Sequence, residues 1–239
     1  MKVAGVIAEF DPFHNGHAYF LRKVREITSA DFIIVVMSGD FTQRGNIAIA
    51  GKRLRTETAI MNGADLVIEL PVRYATASAE LFALGGVSIL DALGCVDVLC
   101  FGTEEADLKP LQEMAGILAA ESDEFRKRLD LHLREGMNYP AARMEAVKET
   151  IAADEALQSE NSIAALSRPN NILALEYLKA INKTGSKMKP MNIRREAVDH
   201  DSSNTYGIYS SAKNIRQILK TTHSLEAAAP YLPENTLPL

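Results

Sequence analysis

The sequence predicts an α/β fold, a Rossmann-like doubly wound parallel sheet with a helical addition after the fourth strand. Short apolar runs rich in Val and Ile alternate with helical patterns through the first hundred residues, which is the order of βαβ units. These runs are continuously apolar, as expected for strands that helices cover on both faces. After Gly102 one helical pattern follows another, and this change predicts the helical addition.

Four strands and three helices are predicted in the first hundred residues. The apolar runs place the strands at Val3–Ala8, Phe32–Met37, Leu66–Leu70 and Val96–Phe101. The intervening helical patterns are Gly16–Ile27, Lys52–Met61 and Ser78–Leu93. Strands of five or six residues joined through helices are typical of a parallel sheet.

The rest of the chain is predicted to be mainly helical. The helical patterns are Leu108–Ala120, Asp123–Glu135, Ala141–Leu157 and Asn170–Ile181. A fifth strand (Met188–Ile193), a polar loop (Asp199–Tyr206) and a helix with a serine N-cap (Ser210–Leu219) follow. We expect one domain over 1–220, made of a sheet core (1–104), a helical insertion (105–182) and a last segment (183–220). Residues 221–239 hold three prolines and are expected to form a linker or tail toward a C-terminal region.

Composition excludes several classes of protein. The 239 residues are 24% charged and 47% hydrophobic with a net charge of −5, which excludes collagen, a coiled coil and a disordered chain. No apolar run approaches the roughly 18–20 residues of a membrane span, and the N-terminus has no cleavage site. Cys95 and Cys100 are too few for a disulfide framework and poorly spaced for zinc. We therefore expect both thiols to be buried near a strand, in a cytoplasmic protein.

Charge is unevenly distributed along the chain. Residues 104–130 carry eight acids against four bases, whereas residues 179–220 carry nine bases against three acids. The basic segment is either a solvated helical face or a surface that binds phosphate or nucleic acid.

Each predicted strand is followed by glycine, polar or charged residues. The segments that follow the four strands are Glu9–His17, Ser38–Gly45, Glu69–Pro71 and Gly102–Glu104. Ligands of open parallel sheets bind beyond the carboxyl ends of the strands, so a site is predicted at this edge.

The first of these segments has the residues of an anion site. Asn15-Gly16 is predicted to turn the backbone, so that a helix starts at Gly16 or His17 and presents its unpaired N–H groups. His14 and His17 would add donors suited to a polyphosphate. Two alternatives remain open: one histidine capping the helix and the other packed, or a metal pair that no nearby acid or cysteine completes.

A second cluster of this kind lies near the C-terminus. Ser210 and Ser211 precede a predicted helix that carries Lys213 and Arg216 on adjacent turns. These groups could hold a phosphate from the side opposite the first loop, and the alternative is a capped helix with a solvated face.

Together the two clusters resemble a known superfamily. His14-Asn15-Gly16-His17 resembles the H-x-G-H signature of the nucleotidyltransferases related to class I aminoacyl-tRNA synthetases, and residues 210–216 are similar to their second phosphate motif. More closely, the sequence resembles the bacterial tRNA(Met) cytidine acetate ligase family. The matching stretches are Gly5–His17, Val36–Gly45, Ala64–Pro71 and Arg168–Leu173.

The resemblance implies a reaction. The family uses ATP to convert acetate to acetyl-adenylate and pyrophosphate, and then acetylates N4 of the wobble cytidine of elongator tRNA(Met), releasing AMP. A Mg²⁺ ion would lie on the phosphates, held by substrate oxygens and water. The alternatives are an adenylyl- or cytidylyltransferase for a small phosphorylated acceptor, and a module that binds nucleotide or RNA without turnover. The basic segment favours an RNA acceptor.

The resemblance also implies site residues. His14 and His17 would be catalytic, and Ser210, Ser211, Lys213 and Arg216 would contact phosphates or tRNA. Asp11 departs from the asparagine common in the family and adds a negative charge near the phosphates. The implied ATP-binding residues are Ile7, Ala8, Glu9, Phe10, Asp11, Pro12, Phe13, His14, Asn15, Gly16, His17, Ala18, Tyr19, Phe20, Gly102, Asn170, Asn171, Arg194 and Arg195.

Overall fold

A five-stranded parallel sheet organises the molecule. The computed structural model describes residues 1–104, 107–120, 122–153, 169–194 and 207–236. The strands run β3-β2-β1-β4-β5 across the sheet, and every neighbouring pair is parallel, which confirms the predicted fold class. Their bounds are β1 Val3–Ala8, β2 Phe32–Ser38, β3 Leu66–Leu70, β4 Val98–Thr103 and β5 Lys189–Arg194.

Ten α-helices lie in the described part of the chain, and most follow the predicted order. Those that alternate with the strands are α1 Asn15–Thr28, α2 Lys52–Met61, α3 Val72–Ala75 and α4 Ala79–Ala92. The helical addition comprises α5 Lys109–Ala120, α6 Asp123–Arg134, α7 Tyr139–Ala153 and α8 Pro169–Thr184. After β5 come α9 Ala212–Thr222 and α10 Leu225–Ala228, with short 3₁₀ turns at Ala229–Tyr231 and Glu234–Thr236.

Each face of the sheet has its own core. Along β2, Ile34 and Val36 belong to the core shared with α4 and the helical addition, whereas Ile33, Val35 and Met37 belong to the core under α1 and α2. Alternate residues of a strand point to opposite faces, so a continuously apolar strand requires cover on both sides. This explains why the strands lack polar alternation.

Some expectations were wrong in detail. β4 starts two residues later than predicted, because the side chain of Asp97 accepts a hydrogen bond from the backbone N–H of Val3 and Val98 begins the ladder. Cys100 is buried in β4, but Cys95 is exposed in the turn before it. The predicted polar loop Asp199–Tyr206 and the end of the helix predicted to Leu157 lie outside the described residues.

Not every basic residue of the segment 179–220 lies on the surface. Lys179 is only 7% exposed, and its Nζ lies 2.7 Å from Glu176 and 3.8 Å from Glu80. Arg143 of α7 pairs with the same Glu176 at 2.9 Å. Lys179 therefore joins α8 to α4 inside the protein, and neither interpretation of the segment holds at this residue.

The last described residues pack on the domain. At the end of α2, the Asn62 side chain donates to Oδ1 of Asn235, and Nδ2 of Asn235 donates to the carbonyl of Met61. Within the described residues, no helix is long and apolar enough to cross a membrane.

Candidate active site at the carboxyl edge of the sheet

The loop after β1 is shaped by its two phenylalanines. Phe10 adopts a left-handed backbone conformation with φ of +52°, and a cis peptide bond joins Asp11 to Pro12. Phe10 and Phe13 are buried with ring centroids 4.8 Å apart. Both rings also lie against His17, at 4.9 and 5.6 Å. The aromatic packing fixes the entry of the chain into α1.

The two histidines form one unit at the start of α1. His14 is the N-cap: its Nδ1 accepts from the backbone N–H of Gly16 at 3.0 Å, and Nδ1 of His17 accepts from the N–H of His14 at 3.3 Å. The rings are stacked, with centroids 3.7 Å apart. A neutral imidazole that accepts through Nδ1 carries its proton on Nε2. The geometry therefore assigns the Nε2–H tautomer to both.

Gly16 has a different role from the one expected. The helix begins at Asn15, so Gly16 is already helical and does not form a turn. A Cβ atom at this position would lie 2.8 Å from Cε1 of His14. Glycine is required here because the ring of His14 occupies the space of a side chain.

The start of α1 carries a partial positive charge. Its first turn contains no acidic residue, and its N–H groups carry the positive end of the helix dipole. Together with the two Nε2–H groups it forms an arrangement of donors suited to phosphate oxygens.

Asp11 joins three segments. It is 5% exposed; its Oδ1 accepts from the N–H of Ile49 at 2.6 Å, and its Oδ2 lies 3.5 Å from Arg216. Arg216 also donates to the carbonyl oxygen of Asp11. The negative charge expected near the phosphates is thus paired with Arg216 and holds α9 against the first loop.

The segment before α9 packs over the start of α1. Asn15 donates to the carbonyls of Ile208 and Pro230, at 3.0 and 3.1 Å. Tyr19 contacts Tyr209 edge to face, with centroids 6.2 Å apart. The structure therefore brings the two clusters predicted from the sequence to the same place.

The serines before α9 act in its cap. Ser211 is the N-cap, and its Oγ accepts from the N–H of Asn214 at 3.1 Å. The Oγ of Ser210 accepts from the side chain of Asn214 at 2.9 Å. Lys213 is exposed on the first turn of the helix.

The other predicted residues lie at the ends of β4 and β5. The Glu104 carboxylate accepts from the Asn170 amide at 2.5 Å and from the N–H of Asn171 at 3.1 Å, while Asn171 Oδ1 accepts from the N–H of Glu104. Gly102 lies within β4, beside Ile193 of β5. Arg194 is exposed at the end of β5, and Arg195 lies outside the described residues.

Arg55 of α2 is a site residue that the sequence did not indicate. It is 1% exposed and donates to four backbone carbonyls, those of Glu9, Ser38, Gly39 and Ala50. It thereby joins the ends of β1 and β2. Arg53, two residues earlier in the same helix, is exposed, and nothing in the sequence distinguishes the two.

Glu9 lies between the loops that follow β1 and β2. Its Oε1 accepts from the N–H of Gln43 at 2.6 Å. Burial raises the pKa of Glu9, and the neighbouring Asp11 adds to this, although the hydrogen bond from Gln43 and the charges of Arg216 and Arg55 oppose it. The pKa of Tyr177 on α8 is also raised, mainly by burial and in addition by the charge of Glu9.

The described side chains contain no cluster of three or more His, Cys, Asp or Glu residues placed to hold a metal. Beside nucleotides, Mg²⁺ commonly takes most of its ligands from phosphate oxygens and water. The donors at the start of α1 are compatible with that arrangement, because N–H groups at a helix start can contact phosphate oxygens directly.

Comparison with known proteins agrees with this geometry. The family model for HIGH nucleotidyl transferases matches residues 1–239. A tRNA(Met) cytidine acetate ligase of Clostridium kluyveri is 43% identical over 237 residues, which are 99% of this chain and 58% of that protein. A ligase of the same name from Acetivibrio thermocellus is 46% identical over 94% of this chain and 53% of its own length.

Two solved structures are similar over almost the whole chain. TmcAL of Thermotoga maritima without ligand has a TM-score of 0.92 and 39% identity over 99% of this chain and 55% of that one. TmcAL bound with alpha-thio ATP has a TM-score of 0.90 and 38% identity, over 99% and 54%. The chain spans just over half the length of these relatives. The match over all 239 residues shows that the chain belongs to the HIGH nucleotidyl transferase family.

Proposed function

We propose that this chain uses ATP to activate acetate as acetyl-adenylate, within a cytoplasmic protein that acetylates N4 of the wobble cytidine of elongator tRNA(Met). The observation that carries the proposal is the stacked pair of His14 and His17 at the start of α1. The Thermotoga relative with the same fold binds an ATP analogue, and relatives at 43 and 46% identity are named for this activity.

The first step needs charge stabilisation. A carboxylate oxygen of acetate attacks the α-phosphorus, the bond from that phosphorus to the bridging oxygen breaks, and pyrophosphate leaves. Negative charge grows on the departing oxygens, where the Nε2–H groups of His14 and His17 and the N–H groups of α1 would donate. Preorganised donors of this kind account for a large part of many enzymatic rate enhancements. A Mg²⁺ ion on the phosphates would neutralise further charge.

The remaining predicted residues would position the nucleotide. Gly102, Asn170, Asn171 and Arg194 would act from the β4 and β5 side of the crevice between β1 and β4, where the strand order reverses, and Arg195 would act with them. Ser210, Ser211, Lys213 and Arg216 would approach the phosphates or the tRNA from α9. Positioning alone lowers the barrier substantially when the reacting atoms are held in line.

In the second step the cytidine N4 attacks the acetyl carbon. The bond from this carbon to the phosphate oxygen breaks, AMP leaves, and one N4 proton is lost to solvent or to the departing phosphate. The exposed bases Lys183, Lys187, Lys189, Lys213 and Lys220 support an RNA acceptor, whose binding should weaken with salt.

Pyrophosphate release from ATP tests the proposal, measured on this chain with and without acetate and with and without elongator tRNA(Met). Acetate-dependent release is expected, with acetyl on the tRNA if these residues suffice for transfer. Release that requires a small phosphorylated acceptor would favour a nucleotidyltransferase instead. Binding of ATP without turnover would indicate a non-catalytic module.

A further inference from the structure

Two buried polar atoms have no hydrogen-bond partner among the residues that the structure describes. They are Oγ of Ser38 and Nε2 of Gln43. Buried polar atoms are nearly always satisfied, and an unsatisfied one costs about 1–3 kcal/mol. Finding both within the six residues 38–43, at and just after the end of β2, makes this place exceptional.

The two residues share neighbours. The carbonyls of Ser38 and Glu9 accept from the same nitrogen of Arg55, and the N–H of Gln43 donates to the side chain of Glu9. Ser38 ends β2 and lies on the same face of the sheet as Val36. The backbones of Ser38 and Gln43 are therefore linked through Arg55 and Glu9 at the ends of β1 and β2.

The chemistry of these atoms selects their ligand. A serine hydroxyl can donate, and Nε2 of glutamine can only donate. The nearby carbonyls of Ser38 and Gly39 already accept from Arg55. The best partner is a small group that only accepts, and a carboxylate is such a group.

The place is also right for a second substrate. Gly102, Asn170 and Arg194 lie toward β4 and β5 and the first loop follows β1, whereas Ser38 ends β2, on the other side of β1. A carboxylate bound here would lie beside the α-phosphate of a nucleotide whose phosphates contact the start of α1.

We propose that Ser38 and Gln43 form the subsite that binds the carboxylate of acetate. This inference rests on the proposed function and adds to it the residues that take the second substrate. Oγ of Ser38 donates to one carboxylate oxygen and Nε2 of Gln43 to the other.

The surroundings suit a small ligand. The segment 40–48 is a hairpin, with a bridge between Phe41 and Ile47 and backbone hydrogen bonds from Thr42 to Asn46 and from Ala48 to Asp40. Gln43 is only half-buried, so its side chain can rotate to admit acetate while the hairpin backbone stays in place.

Kinetics of ATP–pyrophosphate exchange test the subsite. Ser38→Ala and Gln43→Met should each raise the KM for acetate roughly 10- to 100-fold, the range expected for losing one hydrogen bond to a charged group. The KM for ATP should change less than about twofold, because neither residue would touch the nucleotide. Asn46→Ala removes an exposed amide from the same hairpin and should change neither constant.

Thermal melting separates a binding role from a structural one. Each variant removes a buried donor without a partner, so its melting temperature should equal or exceed that of the wild type. A marked drop in both variants, with the acetate KM unchanged, would show that the atoms are satisfied within the fold and would overturn the subsite.

Binding of ¹³C-labelled acetate, followed by NMR in the presence of ATP, keeps the two proposals distinguishable. Exchange activity with unchanged acetate KM in both variants overturns the subsite and leaves the function intact. Acetate that binds the wild type, fails to bind the variants and is never activated supports the subsite and overturns the function. Equal acetate binding by wild type and variants overturns the subsite whether or not exchange occurs.

Discussion

The starts of α1 and α9 lie close together but are stabilised by different kinds of contact. The start of α1 is fixed from within: His14 and His17 cap it, Phe10 and Phe13 pack beneath it, and Arg55 ties the strand ends beside it. The start of α9 caps itself with its own serines and reaches α1 through a few polar contacts. The two histidines therefore rest directly on buried side chains of the core, whereas the start of α9 is attached to the domain by polar contacts.

Replacing Arg55, which links the ends of β1 and β2, should have the largest effect on stability. Arg55→Met leaves four backbone carbonyls without their donor, and we expect the free energy of unfolding to fall by about 3–5 kcal/mol. Urea unfolding measures this. Arg53→Met is the matched control, because the Arg53 side chain is 91% exposed and surface changes usually stay within about 0.5 kcal/mol. Equal losses in the two variants would contradict the role of Arg55.

Removing one of the two proposed donors should lower the reaction rate and leave the fold intact. His17→Ala is expected to lower acetate-dependent pyrophosphate exchange roughly 10²–10³-fold, the usual cost of one preorganised donor. His223→Asn is the control: His223 lies in a left-handed conformation at the end of α9, which asparagine tolerates. A folded His17 variant with full activity would remove His17 from the mechanism.

The attachment of α9 can be tested at a single contact. Arg216→Met removes both bonds to Asp11, and we expect about a 10- to 100-fold lower exchange rate, the range for a hydrogen bond to a charged group. Asp11→Asn should cost less, because the side-chain oxygen still accepts from Ile49 and the Asp11 carbonyl still accepts from Arg216.

Lys220→Met, on the last turn of the same helix, should leave the rate unchanged. If Asp11→Asn is as damaging as Arg216→Met, the charge of Asp11 matters more than the position of α9.

The smallest effect is expected on the melting temperature, when Glu9 is replaced. Since burial raises its pKa in the folded protein, wild-type stability falls as pH rises through that pKa. Glu9→Gln keeps an acceptor for Gln43 and has no charge to bury. The variant should melt higher than wild type at pH 8, and the difference should shrink as the pH falls below the ordinary pKa of glutamate, where Glu9 is protonated in both states. A lower melting temperature at pH 8 would mean that attraction to Arg55 and Arg216 outweighs burial.

The sheet and the first loop could be predicted from the sequence because their signals are local. Continuous apolar runs mark strands buried on both faces, and two histidines three residues apart at a helix start share one turn. The serine cap of α9 follows from the same local chemistry and was confirmed at Ser211.

Roles set by distant contacts could not be predicted in the same way. Arg55 differs from Arg53 only in what β1 and β2 place around it, and Lys179 is buried because α4 supplies Glu80. Cys95 is exposed because the turn before β4 carries it to the surface. The steric role of Gly16 depends on the rotamer of His14, which sequence spacing does not specify.

The two hydrogen bonds of Asn15 impose an order on biosynthesis. They connect it to carbonyls 193 and 215 residues further along the chain. A ribosome makes the start of α1 early and these partners near the end, and contacts so remote in sequence form late in folding. A nascent chain can thus contain the start of α1 long before the start of α9 is synthesised. Both hydrogen bonds of Asn15 can form only when residue 230 has left the exit tunnel.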